Sequence, residues 1–265
     1  MFAKGSDGAP QDFAKAIRWI TQAARQGQRE ALVFLESIPM AAVLEKNAVY
    51  HGLMRELHRC ELASAAQGCV DTQFSVAIRC YRGQGVEQDF RAAFQWFLKA
   101  ARQGHMGAQV NVGVMYQNGE GVTQDYREAV KWFADAARGG HARAVFQLGV
   151  MYLEGKGVTK DERAAAELFH KAAAQNQVDA QAQLATLYGL GMGVELDKAE
   201  AFKWMALAVK NAMPGTKEIL ALMKTEMSPR EIADGQSRAD EFRPVKANSP
   251  YYGGEIKTDT RASQQ

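Results

Sequence analysis

The sequence predicts an all-α chain, an α-solenoid of stacked helix–turn–helix units, on three observations. The second glycine of a Gly-x-Gly loop falls at Gly85, Gly121, Gly157 and Gly193, a constant spacing of 36 residues. A fixed period of that size is the mark of stacked supersecondary units. An acidic residue follows each loop in register (Asp89, Asp125, Asp161, Asp197), and a large apolar one follows that (Trp96, Trp132, Leu168, Trp204). Only 6 prolines occur in 265 residues, and Ala, Gln, Leu and Met are abundant, which favours helix.

Taken in order, residues 1–27 read as a partial repeat. Asp12, Trp19, Ala23-Ala24 and Gly27 match a second helix, but the first helix of that unit is missing. Residues 28–68 read as a degenerate repeat of 41 residues from Gly27 to Gly68. It keeps Ala31, Leu35 and the closing Ala65-Ala66-Gln67-Gly68, and loses the glycine loop to IPMAAVLEKNAVYHGL. This end is expected to be either a half-repeat cap or a start inside a longer protein.

Residues 69–212 hold four regular repeats. In each, a first helix such as Ala108–Tyr116 carries small and apolar residues at Ala108, Val112, Gly113 and Tyr116, one stripe at helical spacing. The Gly-x-Gly turn ends it, because glycine tolerates the left-handed backbone beyond a helix C-terminus. Asp125 then stands where an N-cap belongs, with Glu128 placed to complete a capping box, and Asp197 with Glu200 repeats the arrangement. The second helix is expected to bury Ala129, Trp132, Phe133 and Ala136 and to stop near Gly139-Gly140. Neither helix buries its stripe alone, so the units must stack.

Residues 213–242 read as two capping helices. The first spans Thr216–Met227; the second is introduced by Ser228-Pro229-Arg230-Glu231, an N-cap with proline at the first helical position and an acid in the first turn. Residues 243–265, rich in Pro, Gly, Ser and Thr, read as a disordered tail.

The pattern Leu-Gly-x-x-Tyr-x-x-Gly-x-Gly-Val-x-x-Asp, then Ala, Trp and Ala-Ala-x-x-Gly, closely resembles the Sel1-like repeat, a relative of the tetratricopeptide repeat. Leu148-Gly149, Tyr152, Gly155, Gly157-Val158, Asp161 and Ala172-Ala173 show it in one unit, and the match runs from about Asp12 to Ala212. Cys80 departs from the tyrosine, Leu168 from the tryptophan and Ala185 from the helix glycine. The resemblance implies a right-handed superhelix of Sel1-like repeats and a role in protein–protein interaction.

Composition narrows the function classes. The net charge of +2, from 32 basic and 30 acidic residues, leaves no electrostatic footprint for nucleic acid or an anionic membrane. No apolar run approaches the length of a membrane span, and the N-terminus lacks the apolar core of a signal peptide. As written the chain reads as cytoplasmic; the alternative is periplasmic or secreted, if the start belongs to a longer product. Cys60, Cys69 and Cys80 form an odd, unevenly spaced set and read as reduced thiols.

The glycine loop MYQNGEGVTQD invites a phosphate-cradle reading. That chemistry needs a strand before the loop and a Gly-Lys-Ser/Thr, whereas here a helix precedes it and four copies share one spacing. The loops are therefore expected to be architecture. Neither Gly-x-Ser-x-Gly nor Ser-x-x-Lys occurs. The resemblance also reaches a cysteine-rich branch described as penicillin-binding or β-lactamase proteins; its paired cysteines are missing here, so that carry-over fails. His51, His58 and Cys60 lie close in sequence, but a seven-residue step is about 10 Å along a helix, too far for one ion. His105 and His141 recur just after the closing glycine and read as linker residues. No catalytic residue, metal site or cofactor is expected.

What remains is surface. In tetratricopeptide relatives the first helices line a concave face that holds a peptide. Here the matching positions are Phe74 and Ile78, Val110 and Val114, Phe146 and Val150, then Ala182 and Thr186. Tyr81, Gln117, Leu153 and Gly189 follow, with Arg82, Arg143, Asn118 and Glu154 at the edges. An apolar strip rimmed by polar groups suits an unidentified protein or peptide partner. The same spacing also suits plain packing between neighbouring helices, and both readings stand on the sequence. Three functions follow: an interaction scaffold, a cell-wall or β-lactam-related hydrolase, or a structural protein that self-associates.

Overall fold

A computed structural model describes residues 55, 58, 59 and 61–245. The partial repeat at 1–27, the replaced loop of the degenerate repeat and the tail from 246 lie outside the described residues. The chain divides into two compact units, Met1–His105 and Met106–Gln265. Among the described residues regular structure is helical throughout, without a strand.

In the first unit, residues 61–66 are helical and precede α1 (Val70–Arg82) and α2 (Phe90–Arg102). Ala65, Val76, Ala77, Ala93, Phe97 and Ala100 form its buried interior. Arg79 stands at the register of Met115, Met151 and Leu187, core positions in the later repeats. Its guanidinium is neutralised there by Glu61 at 2.6 Å, an ion pair that water barely reaches. A buried cation without that carboxylate would be strongly destabilising.

The second unit contains three helix pairs, α3 (Met106–Asn118) with α4 (Tyr126–Arg138), α5 (Ala142–Glu154) with α6 (Glu162–Ala174), and α7 (Val178–Leu190) with α8 (Lys198–Lys210). Two shorter-linked helices follow, α9 (Thr216–Glu226) and α10 (Pro229–Glu241). Pairs stack in order, α4 on α5 and α6 on α7, so each buries the apolar face its neighbour cannot cover alone.

Small residues set the closeness of these helices. A Cβ at Gly113 would stand 2.6 Å from the Phe133 ring, and one at Gly149 2.7 Å from the Phe169 ring. Those phenylalanines are completely buried, as are Ala129 and Ala136, while Trp132 is only half-buried, contrary to the expectation from spacing. Trp204, two periods on, is buried where Phe242 meets its ring edge, so burial at this position depends on what else covers it. In the last pair Ala185 and Met205 replace the glycine and phenylalanine.

The chain reverses after each second helix through one repeated device. The fourth position after Ala100, Ala136, Ala172 or Ala208 takes a positive φ, at Gly104, Gly140, Asn176 and Ala212. The next N–H (His105, His141, Gln177, Met213) donates back to the carbonyl of Ala100, Ala136, Ala172 or Ala208. This is the Schellman closure, which satisfies helix-end carbonyls.

Candidate functional site

The glycine loops use their polar groups internally. At the end of α3 the Gly119 and Glu120 N–H groups donate to the Met115 carbonyl, and the Asp125 N–H donates to the Tyr116 carbonyl at 2.9 Å. The Asp125 carboxylate then accepts from the Arg127 and Glu128 N–H groups at the start of α4. Asp161 and Asp197 repeat both halves, on the Tyr152 and Tyr188 carbonyls and on the Ala164 and Glu200 N–H groups. A loop whose N–H groups point into its own helix, facing a carboxylate-capped helix start, repels phosphate rather than cradling it.

This clamp also corrects the expected capping boxes. A capping box needs the glutamate to accept from the N-cap N–H, and in these repeats the tyrosine carbonyl has taken that donor. Glu128 instead pairs with Lys131, and Glu200 with Lys203 and Arg238. The complete box forms at Ser228 and Glu231, where no tyrosine carbonyl competes.

The second glycine of the loop has a further role. A Cβ at Gly157 would lie 2.4 Å from the carbonyl oxygen of Tyr126, and one at Gly193 2.2 Å from that of Glu162. Each loop therefore lies directly on the backbone that opens the second helix of the preceding repeat. Its glycine is a contact between repeats as well as a turn.

The first-helix positions divide by burial. In the first unit Ile78 is buried, Phe74 is half-buried with its ring stacked on His105 at 4.3 Å, and Tyr81 is half-buried edge-on to Phe90. In the second unit Val110 and Val114 are wholly buried and give a partner nothing to touch. Phe146 is buried against Phe169, whereas Gln117, Arg143, Val150 and Leu153 are half-buried. Ala182 is half-buried, and Thr186 and Gly189 are exposed. One period further on, α9 places Glu218 and Leu222 at the same two positions, both exposed. The row thus opens progressively from α3 to α9.

Leu190, Ile219 and Leu222, exposed by 64%, 48% and 62%, were not singled out by spacing. The signal was present: Thr216 falls one period after Ala180 and is buried like it, which makes α9 a further first helix.

Elsewhere in the second unit, His170 Nε2 and Tyr188 Oη share a hydrogen bond of 2.8 Å. The His170 ring also meets the edge of Trp204, and Trp204 in turn meets Phe242. Burial pushes the His170 imidazole below its usual pKa, with Glu200 opposing and Lys203 adding. Burial, then the Glu200 and Asp197 charges, pushes the Tyr188 phenol up. Past Phe242 the chain reaches α6, where the Val245 N–H donates to the Ala174 carbonyl at 2.7 Å.

An open cleft of about 690 Å³ lies beside this cluster, lined by Tyr188, Leu196, Asp197, Glu231 and Asp234 among others. Three of its carboxylates already hold partners: Asp197 and Asp234 bind Arg238, and Glu231 binds Ser228, while Glu195 is exposed at its rim. His105 and His141, expected as linker residues, do follow the closing turn, with their side chains buried. Cys69 is exposed and Cys80 buried, both as free thiols, and burial raises the pKa of Cys80. Among the described residues no group of three or more His, Cys, Asp or Glu is placed to hold a metal ion. No helix there is long and apolar enough to cross a membrane.

Among solved structures the chain is similar to a protective antigen of uropathogenic Escherichia coli strains displaying an SLR fold. Identity is 24% and the TM-score 0.68, over 89% of this chain and 50% of that one. It is also similar to a Sel1 repeat protein from Oxalobacter formigenes, at 30% identity and a TM-score of 0.63, over 82% of this chain and 62% of that one. The chain thus spans about half and about three-fifths of the lengths of these relatives. No curated protein matches it. The Sel1 repeat model matches residues 1–28, 70–105, 107–141, 142–177 and 178–212. With five matched repeats over most of its length, an all-helical stack and the loop clamp in register, the chain belongs to the Sel1 repeat family.

Proposed function

We propose that this protein is a non-catalytic interaction scaffold that holds a partner protein or peptide against the first-helix face of its repeats. The observation that carries this reading is the progressive opening of that face in the second unit, from wholly buried Val110 and Val114 to half-buried Val150 and Leu153 and exposed Thr186. The recurring polar groups, by contrast, are engaged in caps and turns, so the repeat's chemistry is structural and its surface is what differs between units. Sel1 repeats typically serve protein–protein interaction, which supports the same assignment.

The test is site-specific photo-crosslinking in cells that express the protein. A photoreactive residue at Leu153 or Thr186 is expected to trap a protein partner, whereas one at Arg163 or Glu167, exposed on α6, traps none. Absence of adducts at both first-helix positions overturns the assignment. So does turnover of a chromogenic β-lactam above background, which would favour the hydrolase reading instead.

A further inference from the structure

We propose that the last first-helix face, carried by α7 and α9, is a docking surface for a basic amphipathic helix of a partner protein, an inference that rests on the scaffold reading above. α9 is built as another first helix. Thr216 repeats the buried Ala108, Ala144 and Ala180, and Leu220 and Met223 pack on the core at the register of Leu184 and Leu187.

In the preceding repeats a second helix then folds back over the first. Here α10 lies on α8 instead, with Gly235 pressed against the Ala199 carbonyl and the Phe202 side chain. α9 therefore has no second helix paired with it, and the first-helix face that is already open at Thr186 and Leu190 continues onto it. Ile219 and Leu222 stay 48% and 62% exposed, and Leu190 at the end of α7 stays 64% exposed. An apolar helix face of this kind is the receiving half of helix-in-groove recognition, in which a partner's apolar stripe supplies the missing cover.

Charge defines the chemistry of the occupant. At four-residue steps α7 presents Ala182, Thr186 and Leu190, and α9 presents Glu218, Leu222 and Glu226. The charged members of the stripe are therefore both carboxylates, exposed and without an ion pair among the described residues. The cations of α9 lie off the stripe, with Lys224 held over the Phe202 ring at 5.7 Å. A second copy offering the same face would bring glutamate to glutamate, which is repulsive. A helix with a leucine stripe flanked by lysine or arginine meets both demands: apolar side chains against exposed Leu190, Ile219 and Leu222, and cations on Glu218 and Glu226.

The experiment uses the full chain and two labelled amphipathic peptides of equal length and leucine content, one with lysine flanks and one with glutamate flanks, followed by fluorescence anisotropy. The leucine–lysine peptide is expected to bind, more weakly as salt rises. Binding is expected to weaken about tenfold in Leu222→Ser and again in Glu218→Lys with Glu226→Lys. All three sites are exposed, so unchanged circular dichroism and melting temperature confirm that these variants fold. The inference is overturned if the variants bind as well as the parent, if the leucine–glutamate peptide binds equally, or if light scattering shows a dimer that Leu222→Ser dissolves. Crosslinking at Leu153 and Thr186 separates the two levels: adducts there with no loss in the Leu222 variant sink this surface and leave the scaffold standing.

Discussion

Replacing Gly157 by alanine tests the claim that the second loop glycine joins one repeat to the next. The new Cβ would meet the Tyr126 carbonyl oxygen at 2.4 Å, its carbon at 2.5 Å and the Arg127 nitrogen at 2.9 Å, all backbone atoms that no rotamer change removes. Restoring ordinary contact requires the loop and the start of α4 to part by about 1 Å, an overpacking displacement costing about 1–3 kcal/mol. The residue also holds φ at 74°, where an L side chain adds about 1–2 kcal/mol. The expected total loss is about 2–5 kcal/mol. Gly155→Ala is the control, because it shares the left-handed φ of 68° but its nearest neighbour, the Lys160 Cβ at 3.1 Å, leaves far more room than the Tyr126 carbonyl. It should lose about 1–2 kcal/mol, chiefly the backbone strain. Urea unfolding followed by far-UV circular dichroism gives the comparison. Equal losses in the two variants would refute the inter-repeat contact and return this glycine to being a turn residue only.

Three further outcomes follow from the packing. Ala212 holds a positive φ of 57° at a closing position that is glycine in other repeats, so Ala212→Gly should raise stability by about 0.5–1 kcal/mol in the same urea assay. Gly149→Ala should cost about 1–3 kcal/mol through the Phe169 ring, and adding Phe169→Met, which recreates the Ala185 and Met205 pair of the last repeat, should recover part of that in a double-mutant cycle. His170 is lowered from its usual pKa of 6.5 by burial. The unfolded chain therefore takes up the proton first as pH falls, so its stabilisation is complete above about pH 6.5 and is lost below it, down to the folded-state pKa. Urea midpoints across that range should fall less steeply in His170→Gln; an unchanged slope would show that other groups carry the acid sensitivity.

The sequence made the repeat legible because its signals are local. Glycine at 155 and 157, aspartate at 161 and the Ala172-Ala173 pair act within a few residues of themselves, through φ, capping and turn closure. The helix of α9 was legible for the same reason, from the Thr216 start to the Ser228-Pro229 boundary. Harder to read was which side of a helix another helix would cover. Spacing assigned Val110 and Leu153 to one face, yet one is wholly buried and the other half-exposed. The periodicity is identical in both; the neighbours differ. Likewise the capping box at Asp125 was a sound local pattern defeated by a competing acceptor, the Tyr116 carbonyl nine residues back. Arg79 and Glu61 show the limit from the other side, since a buried ion pair across 18 residues leaves no periodic trace.

By itself, then, the sequence determined the unit: two helices of fixed length, a glycine turn, an aspartate cap and the obligation to stack. Those properties come from backbone conformation and from apolar stripes, which a chain carries wherever it is placed. Only the tertiary structure decided which stripe found a neighbour. It laid Gly157 on the Tyr126 carbonyl, put α10 on α8 rather than on α9, and left Leu222 in water while Val114, at the same position three repeats upstream, has none. Burial depends on what arrives from elsewhere in the chain, and a period of 36 residues is silent about where the arrivals stop.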